Sequence, residues 1–403
     1  MKRLFKPEAF LFLLILSLCY GGSGGAHEPI RILAIILSPF ALSKLGKPSY
    51  IFIKPIAVFF VCWLLYMVLS LLWSLDSTRG LNEIVYYIIH FLLFIEILVF
   101  AKQSSNRLDI ISWGWLFAFL LTSIVAVWEI RTGHHLASAL QEKEYASTGE
   151  QSVRIYFAAA NFGNYNTYCT FICFALPFFF YRIMQRKVIS RILGVVAITL
   201  SIVIIFLNAS RGALLSLVIM TGIFLWFNLK SKGKNSKSIL FVLSMALLFL
   251  FYYYGSQIMS HILFRLDNSD GFEDTKRMGI WTDALELFFS TGGLGVGVGS
   301  LGESMRRIHH TVTHNVFFEL LVQFGMVITV IITWFFTKIF LRFPRCPFKL
   351  VKILGYCAFL AFPFYSIIDS SYLLKPQIWV LVASLYVFSN YKKDKELGID
   401  KWE

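Results

Sequence analysis

The sequence predicts an all-α polytopic membrane protein with about twelve transmembrane helices, and three observations support this fold class. Of the 403 residues, 57% are hydrophobic, 17% aromatic and only 15% charged, a composition unlike that of a water-exposed surface. Apolar runs recur along the whole length, and the basic residues lie in short loops between them. We therefore expect residues 1–403 to form a single integral membrane domain.

The predicted spans follow from run length, since a helix needs about 20 apolar residues to cross the hydrocarbon layer. They cover residues 8–22, 29–43, 51–73, 83–100, 109–130, 163–182, 191–208, 211–229, 238–255, 315–337, 349–367 and 376–391. The first is expected to be an uncleaved helix, because bulky Leu18 precedes Cys19. None of the six cysteines lies in a predicted outward loop, so no disulfide framework is expected.

The net charge of +14 reflects orientation in the membrane. One set of alternate loops holds 25 of the 37 basic residues, although the loops on the other side are longer. By the positive-inside rule this set is cytoplasmic, and both termini lie with it. The predicted partners are accordingly membrane lipids, and no nucleic acid is expected.

Two connections are long, and both face outward: residues 131–162 and residues 256–314, the second between predicted helices 9 and 10. Long loops in a compact protein are usually functional or disordered. Apolar side chains recur at helical spacing in the second loop: Trp281, Leu285, Phe288 and Phe289. Asp283 and Glu286 fall on another face, so an amphipathic helix near the membrane surface is expected.

Arginines stand out on the outward side, where cations are few. Arg211 begins a helix after a tight junction, so it is either a membrane anchor or part of an anion site with the exposed helix amides. Arg277 lies four residues before Trp281, and Arg265 precedes both. This pair is either an interface contact or a cation for a diphosphate beside an aromatic platform.

Gly295, Gly297 and Gly299 superficially match a dinucleotide-binding fingerprint. The context is wrong for that function, because no strand precedes the glycines within a strand-helix-strand unit. They are expected instead to allow tight turns and close backbone approach.

Histidines precede the tenth predicted span. Adjacent His309 and His310 cannot readily aim at one ion, so a metal site is not expected. His314 is either structural or suited to proton transfer. Glu319 would lie just inside the membrane, either pairing with Asn315 or facing the same outward cavity as His314.

Four elements, in this order, resemble the O-antigen ligase and polysaccharide polymerase superfamily over residues 155–335. They are Phe162-Gly163-Asn164 with Asn166; Ser210-Arg211-Gly212-Ala213; Arg277 with Trp281 before the glycine turn; and His314-Asn315. The most specific pattern is His, then Asn, Ser or Gln, then nine residues and Gly, which His314, Asn315 and Gly325 satisfy. That pattern continues with two residues and then Gly, Thr or Tyr, a position that Ile328 holds in this chain.

The resemblance implies a GT-C-like glycosyltransferase in the bacterial cytoplasmic membrane, with its active site facing the periplasm or exterior. It implies an undecaprenyl-diphosphate-linked glycan as donor, inverting transfer, and neither cofactor nor metal. The acceptor stays open: lipid A core for a ligase, or a growing glycan for a polymerase. Helix count alone also allows a transporter or flippase.

This chemistry assigns roles to particular residues. A leaving diphosphate in a metal-free site needs arginines and backbone amides, and an attacking hydroxyl needs a base beside it. The diphosphate-binding candidates are Arg211, Arg277, Arg265 and Arg154. The catalytic candidates are His314, Arg211 and Glu319, and those expected to position substrate are Asn315, Trp281 and Asn164.

Overall fold

The computed structural model describes residues 6–21, 25, 28–136, 157–208, 210–229, 272–308, 312–393 and 400–401, which form a bundle of helices. The helices are α1 (Pro7–Leu16), α2 (Pro29–Leu45), α3 (Lys54–Ser70), α4 (Ser77–Gln103), α5 (Arg107–Thr132), α6 (Tyr165–Ile183), α7 (Val188–Leu207), α8 (Arg211–Leu229), α9 (Phe272–Ser290), α10 (Leu301–Arg307), α11 (Val316–Arg342), α12 (Lys349–Leu360), α13 (Phe362–Tyr365) and α14 (Pro376–Ser389). Short 3₁₀ turns lie at Ser17–Tyr20, Pro48–Ile53, Ala160–Phe162, Phe343–Arg345 and Tyr372–Leu374. After α14, strands β1 (Lys392–Lys393) and β2 (Asp400–Lys401) pair antiparallel.

Six described helical stretches are long and apolar enough to cross a membrane, and the chain is a multi-pass membrane protein. They are Pro48–Ser70, Ser77–Gln103, Arg107–Thr132, Val188–Leu207, Arg211–Asn228 and Val316–Arg345. Shorter apolar stretches lie at Pro7–Tyr20 and Pro376–Ser389. The count of about twelve spans stays a prediction, since the predicted span 238–255 lies outside the described residues.

Helix α6 runs through the interior of the bundle. Of its 19 residues, 17 are buried, and its neighbours are α5, α7, α8 and α12. A helix that is apolar on every side is stable where other helices surround it. Helix α3 is the opposite case, because only 28% of the spanning window in Pro48–Ser70 is buried. The bundle therefore has a protein-enclosed centre and an outer helix that presents most of its surface to its surroundings.

The predicted span 349–367 is divided in the structure. Helix α12 ends at Leu360, and the single turn α13 begins at Phe362. Pro363 lies in the first turn of α13, where a missing backbone N–H is tolerated. Pro363 therefore lies at the start of a short turn that leads from α12 to the candidate site.

Helix α11 is broken at Gly325, where φ is 75° and ψ is −176°. The glycine-rich turn after α9 supplies donors to the carbonyls near the break. Val296 N donates to Val322 O over 2.8 Å, and Gly297 N donates to Gln323 O over 3.1 Å. Backbone groups at membrane depth need such partners, so the turn and the broken helix depend on each other.

The glycines at 295, 297 and 299 have φ angles of 86°, 88° and 79°. A Cβ on Gly297 would lie 2.8 Å from Ser70 O, and one on Gly299 would lie 2.3 Å from Gly80 N. Both the left-handed backbone and the lack of space exclude larger residues. This confirms the prediction of tight turns and close backbone approach.

We expect Gly299→Ala to destabilise the protein far more than Gly292→Ala. Both glycines have positive φ, which costs an L-residue about 1–2 kcal/mol. Only Gly299 also meets backbone atoms of α4, since nothing lies within 4 Å of a Cβ on Gly292, and overpacking adds a further ~1–3 kcal/mol. Thermal unfolding in detergent should show the difference, and equal melting temperatures would contradict the close contact.

Candidate functional site

Residues 366–375 join α13 to α14 and lie at the centre of the candidate site; we refer to them as the site segment. Elements from across the chain meet there. The predicted residues that lie on these elements are Asn164, Arg211, Arg277, His314 and Glu319. One short stretch of backbone therefore brings together motifs that are far apart in the sequence.

Arg211 is exposed and is the first residue of α8. Its neighbour Gly212 packs so tightly on the site segment that a Cβ would lie 2.8 Å from Ile368 Cγ1. The first N–H groups of a helix lack intrahelical acceptors and favour anions. Arg211 and the start of α8 thus place positive potential beside the site segment.

Arg277 and Trp281 lie on one side of α9, as their spacing predicts. Arg277 Nη1 donates to Ile367 O of the site segment over 3.3 Å. A guanidinium has five N–H donors, so a single bond to a carbonyl leaves capacity for an anion. Trp281 Nε1 donates to Thr313 O over 3.0 Å, and its ring stacks on Phe318 at 5.7 Å between centroids. The indole thus fixes the residue before His314, and one ring face is occupied by protein.

His314 is half-buried and has left-handed backbone, with φ of 46°. Asn315 caps α11, and its Oδ1 accepts from Phe317 N at 2.9 Å. The next residue, Val316, donates its N–H to Ser366 O of the site segment at 3.2 Å. Left-handed backbone at a non-glycine residue costs about 1–3 kcal/mol and is concentrated at functional sites. The backbone at His314 is therefore fixed between a helix cap and the site segment.

Glu319 is buried and accepts hydrogen bonds from the site segment. Its Oε2 accepts from Tyr372 N at 2.9 Å, and its Oε1 accepts from Leu373 N at 3.1 Å. Two other buried side chains hold the same turn. Trp379 Nε1 donates to Leu373 O at 2.8 Å, and Arg31 Nη2 donates to Leu374 O at 2.7 Å. These contacts place Glu319 as a support of the turn, and its predicted catalytic role stays a prediction.

The site segment also carries an ion pair between half-buried Lys375 and buried Asp369. Thr167, one turn into α6, donates to Asp369 Oδ1 at 3.1 Å and accepts from Lys375 Nζ at 3.2 Å. Tyr372 OH accepts from Asp369 N and donates to Tyr365 O at 2.8 Å. Burial, with the Asp369 carboxylate next, raises the pKa of Tyr372 well above its ordinary value, so the phenol keeps its proton.

Asn164 caps α6, because its Oδ1 accepts from Asn166 N at 2.7 Å. It therefore positions the helix that brings Thr167 to Asp369, and its role in holding substrate stays a prediction. Arg154 and Arg265 lie outside the described residues, as do His309 and His310.

Asp369, Lys375 and Arg31 were not among the site residues predicted from the sequence. The sequence does contain an indication for Asp369 and Lys375, because they are the charged residues of a short connection between two predicted spans. Ionisable groups at such positions commonly mark a polar site. Arg31 lies within the predicted span 29–43, but its partners, backbone carbonyls and Glu28 at 3.4 Å, could not be predicted from the sequence.

We expect Glu319→Ala to lower the stability of the protein and to loosen the site segment. It leaves two buried N–H groups without acceptors, and each such group costs about 1–3 kcal/mol. Glu319→Gln keeps a single acceptor oxygen and should lose about half as much. Glu303→Ala is the control, because that carboxylate is half-exposed on α10 and bonds to Arg306 rather than to the site segment. Thermal unfolding and hydrogen exchange at residues 372–374 measure both effects; an unchanged exchange rate there would contradict the support role.

The fold and site together define a class: a multi-pass membrane protein that gathers arginines and a histidine around one polar connection between helices. Comparison with known sequences shows what the chain is similar to. Residues 195–333 match the family model described as O-Antigen ligase, and this range includes Arg211, Arg277, His314 and Glu319. The match confirms the predicted resemblance to the O-antigen ligase and polysaccharide polymerase superfamily.

A relative is the teichuronic acid biosynthesis protein TuaE of Bacillus subtilis (strain 168). It is 26% identical over 297 residues, which are 68% of this chain and 58% of the relative. The match thus spans little more than half of the relative's length.

Proposed function

We propose that the protein is a membrane glycosyltransferase that moves a glycan from an undecaprenyl-diphosphate carrier to an acceptor sugar on the outer face of the cytoplasmic membrane. The observation that carries this proposal is the convergence on the site segment. Arg277 bonds to Ile367, the start of α8 packs on Ile368, and the residue that follows the His314-Asn315 pair bonds to Ser366. Two cations and one imidazole are the groups that the reaction needs.

In the proposed reaction the acceptor hydroxyl attacks the anomeric carbon with inversion. The new glycosidic C–O bond forms as the bond from the anomeric carbon to the diphosphate breaks. His314 accepts the hydroxyl proton, and undecaprenyl diphosphate leaves with the bonding electrons. Arg211, the amides at the start of α8 and Arg277 stabilise the negative charge that develops on the diphosphate.

Lys375 is a weaker candidate for the diphosphate than the two arginines. Its ammonium is paired with Asp369 and bonded to Thr167. Asp369 is buried and Lys375 is half-buried, so removing the lysine would leave a poorly compensated carboxylate. This favours a positioning role, in which the pair fixes the site segment to α6.

The proposed activity is that of an O-antigen ligase, with lipid A core as acceptor. The second candidate is a polymerase of the same superfamily, which adds the glycan to another lipid-linked chain. The two activities share the donor and the chemistry and differ in the acceptor.

The test is glycan transfer by the purified protein from an undecaprenyl-diphosphate donor, offered lipid A core in one reaction and lipid-linked repeats in another. Transfer to core supports the ligase, and chain growth on repeats supports the polymerase. The reaction is run with and without a chelator, because the proposal involves no metal. Transfer that stops in chelator and returns with a divalent cation would overturn the metal-free mechanism. Movement of the lipid-linked donor across vesicles without any transfer would favour a transporter or flippase.

A further inference from the structure

Helix α9 has an exposed apolar face that points away from the site. The sequence predicted one apolar stripe of Trp281, Leu285, Phe288 and Phe289, and the structure divides it in two. Phe288 is buried against α11, whereas Phe289 is 69% exposed and Leu285 is 37% exposed. The apolar side chains of Leu285 and Phe289 are therefore not covered by the described part of the chain.

Successive residues of a helix are about 100° apart, which gives α9 three sides. The protein side carries Arg277, Trp281, Ala284 and Phe288, all of which are half-buried or buried. The apolar exposed side carries Met278, Leu285 and Phe289. The third side carries the exposed polar residues Glu286 and Ser290. A helix that is apolar, polar and packed on three separate sides suits the boundary between protein, lipid and water.

The exposed face continues onto a surface that faces lipid. Tyr66, near the end of α3, donates its hydroxyl to Leu294 O, and Trp73 Nε1 donates to Gly295 O at 3.1 Å. Leu294 is 58% exposed, and Leu72, the residue before Trp73, is 85% exposed.

Helix α3 is the least buried of the six spanning stretches. Its exposed side chains include Val58, Val61, Leu65, Val68 and Leu69. In a membrane protein such a surface lies in hydrocarbon. The apolar face of α9 therefore extends the lipid-facing surface of α3 at its outer end.

We propose that α9 lies in the outer leaflet of the membrane, with Met278, Leu285 and Phe289 among the acyl chains and Glu286 and Ser290 in water. This places Arg277, on the adjacent side of the helix, at the depth of the lipid phosphates. A carrier lipid in the same leaflet would then present its diphosphate to Arg277 without leaving the bilayer. Only this consequence rests on the proposed function; the position of α9 does not.

The experiment uses the full chain in lipid nanodiscs with a fluorescent label on a single introduced cysteine. Leu285→Cys and Phe289→Cys report the apolar face, and Glu286→Cys and Ser290→Cys are controls one residue away. The background is Cys62→Ser, since Cys62 alone among the six cysteines is exposed. All four substituted residues are exposed, so folding should be retained, and thermal unfolding of each labelled variant checks this.

A nitroxide on the acyl chain close to the headgroup should quench the labels at 285 and 289 at least about twofold more than those at 286 and 290. A water-soluble quencher should give the reverse order. Equal quenching at all four positions by the water-soluble agent would overturn the proposal. Protection from both quenchers at 285 and 289, with cross-links between chains, would overturn it in favour of a second copy as the occupant. The readout requires no catalysis, so loss of the proposed activity would leave its result unaffected.

Discussion

His314→Asn is expected to lower the rate of glycan transfer by about 10²–10⁴, the usual contribution of a positioned general base. His314 follows Thr313, whose carbonyl accepts a hydrogen bond from Trp281, and it precedes Asn315, which caps α11. Asparagine cannot accept a proton near neutral pH, whereas it tolerates the left-handed backbone that His314 adopts. The substitution thus removes the base and preserves the local conformation.

The measurement is single-turnover transfer with the purified protein at saturating donor, beside donor binding and thermal unfolding. Binding and stability should stay close to wild type, so that the loss falls on the chemical step. His134→Asn is the matched control, because His134 is exposed just after α5. Transfer by His314→Asn within tenfold of wild type would exclude His314 as the base and leave it a structural residue.

Hydrophobic patterning predicted much of the fold because each helix carries its own signal. The span predicted at 163–182 corresponds to α6 at Tyr165–Ile183, and the one at 211–229 corresponds to α8 at Arg211–Leu229. Helix breaks were harder to place. A single glycine at 325 interrupts α11 only because the glycine turn supplies donors to the carbonyls before it, and that pairing is set by tertiary structure.

Only part of the candidate site could be predicted from the sequence. Arg211, Arg277 and His314 could be proposed because cations and imidazoles are rare beside outward helix ends. Their common partner, the site segment, could not, since it contacts them largely through backbone atoms such as Ser366 O and Ile367 O. Residue types do not reveal which backbone groups meet, because every residue has a backbone carbonyl. Only the folded structure shows these contacts.

Arg277→Ala and Arg211→Ala are each expected to lower transfer by about 10²–10³, the range found when one preorganised donor to a developing negative charge is removed. The two arginines come from different helices: Arg277 of α9 bonds to Ile367, and Gly212, which follows Arg211 on α8, packs on Ile368. Lysine at either position keeps the charge and loses the planar fork, so Arg→Lys should restore only part of the rate. Arg306→Ala is the control, because Arg306 is exposed on α10 and paired with Glu303.

Comparison of the single variants with the double variant tests whether both arginines bind the same group. If each stabilises the charge on one diphosphate, their effects are coupled, and the double variant should lose less than the product of the two single losses. Independent effects that multiply would place them on different parts of the substrate. An Arg211→Ala protein with normal transfer would return that residue to the role of a membrane anchor, and Arg277 with the amides of α8 would then be the remaining candidates for the leaving diphosphate.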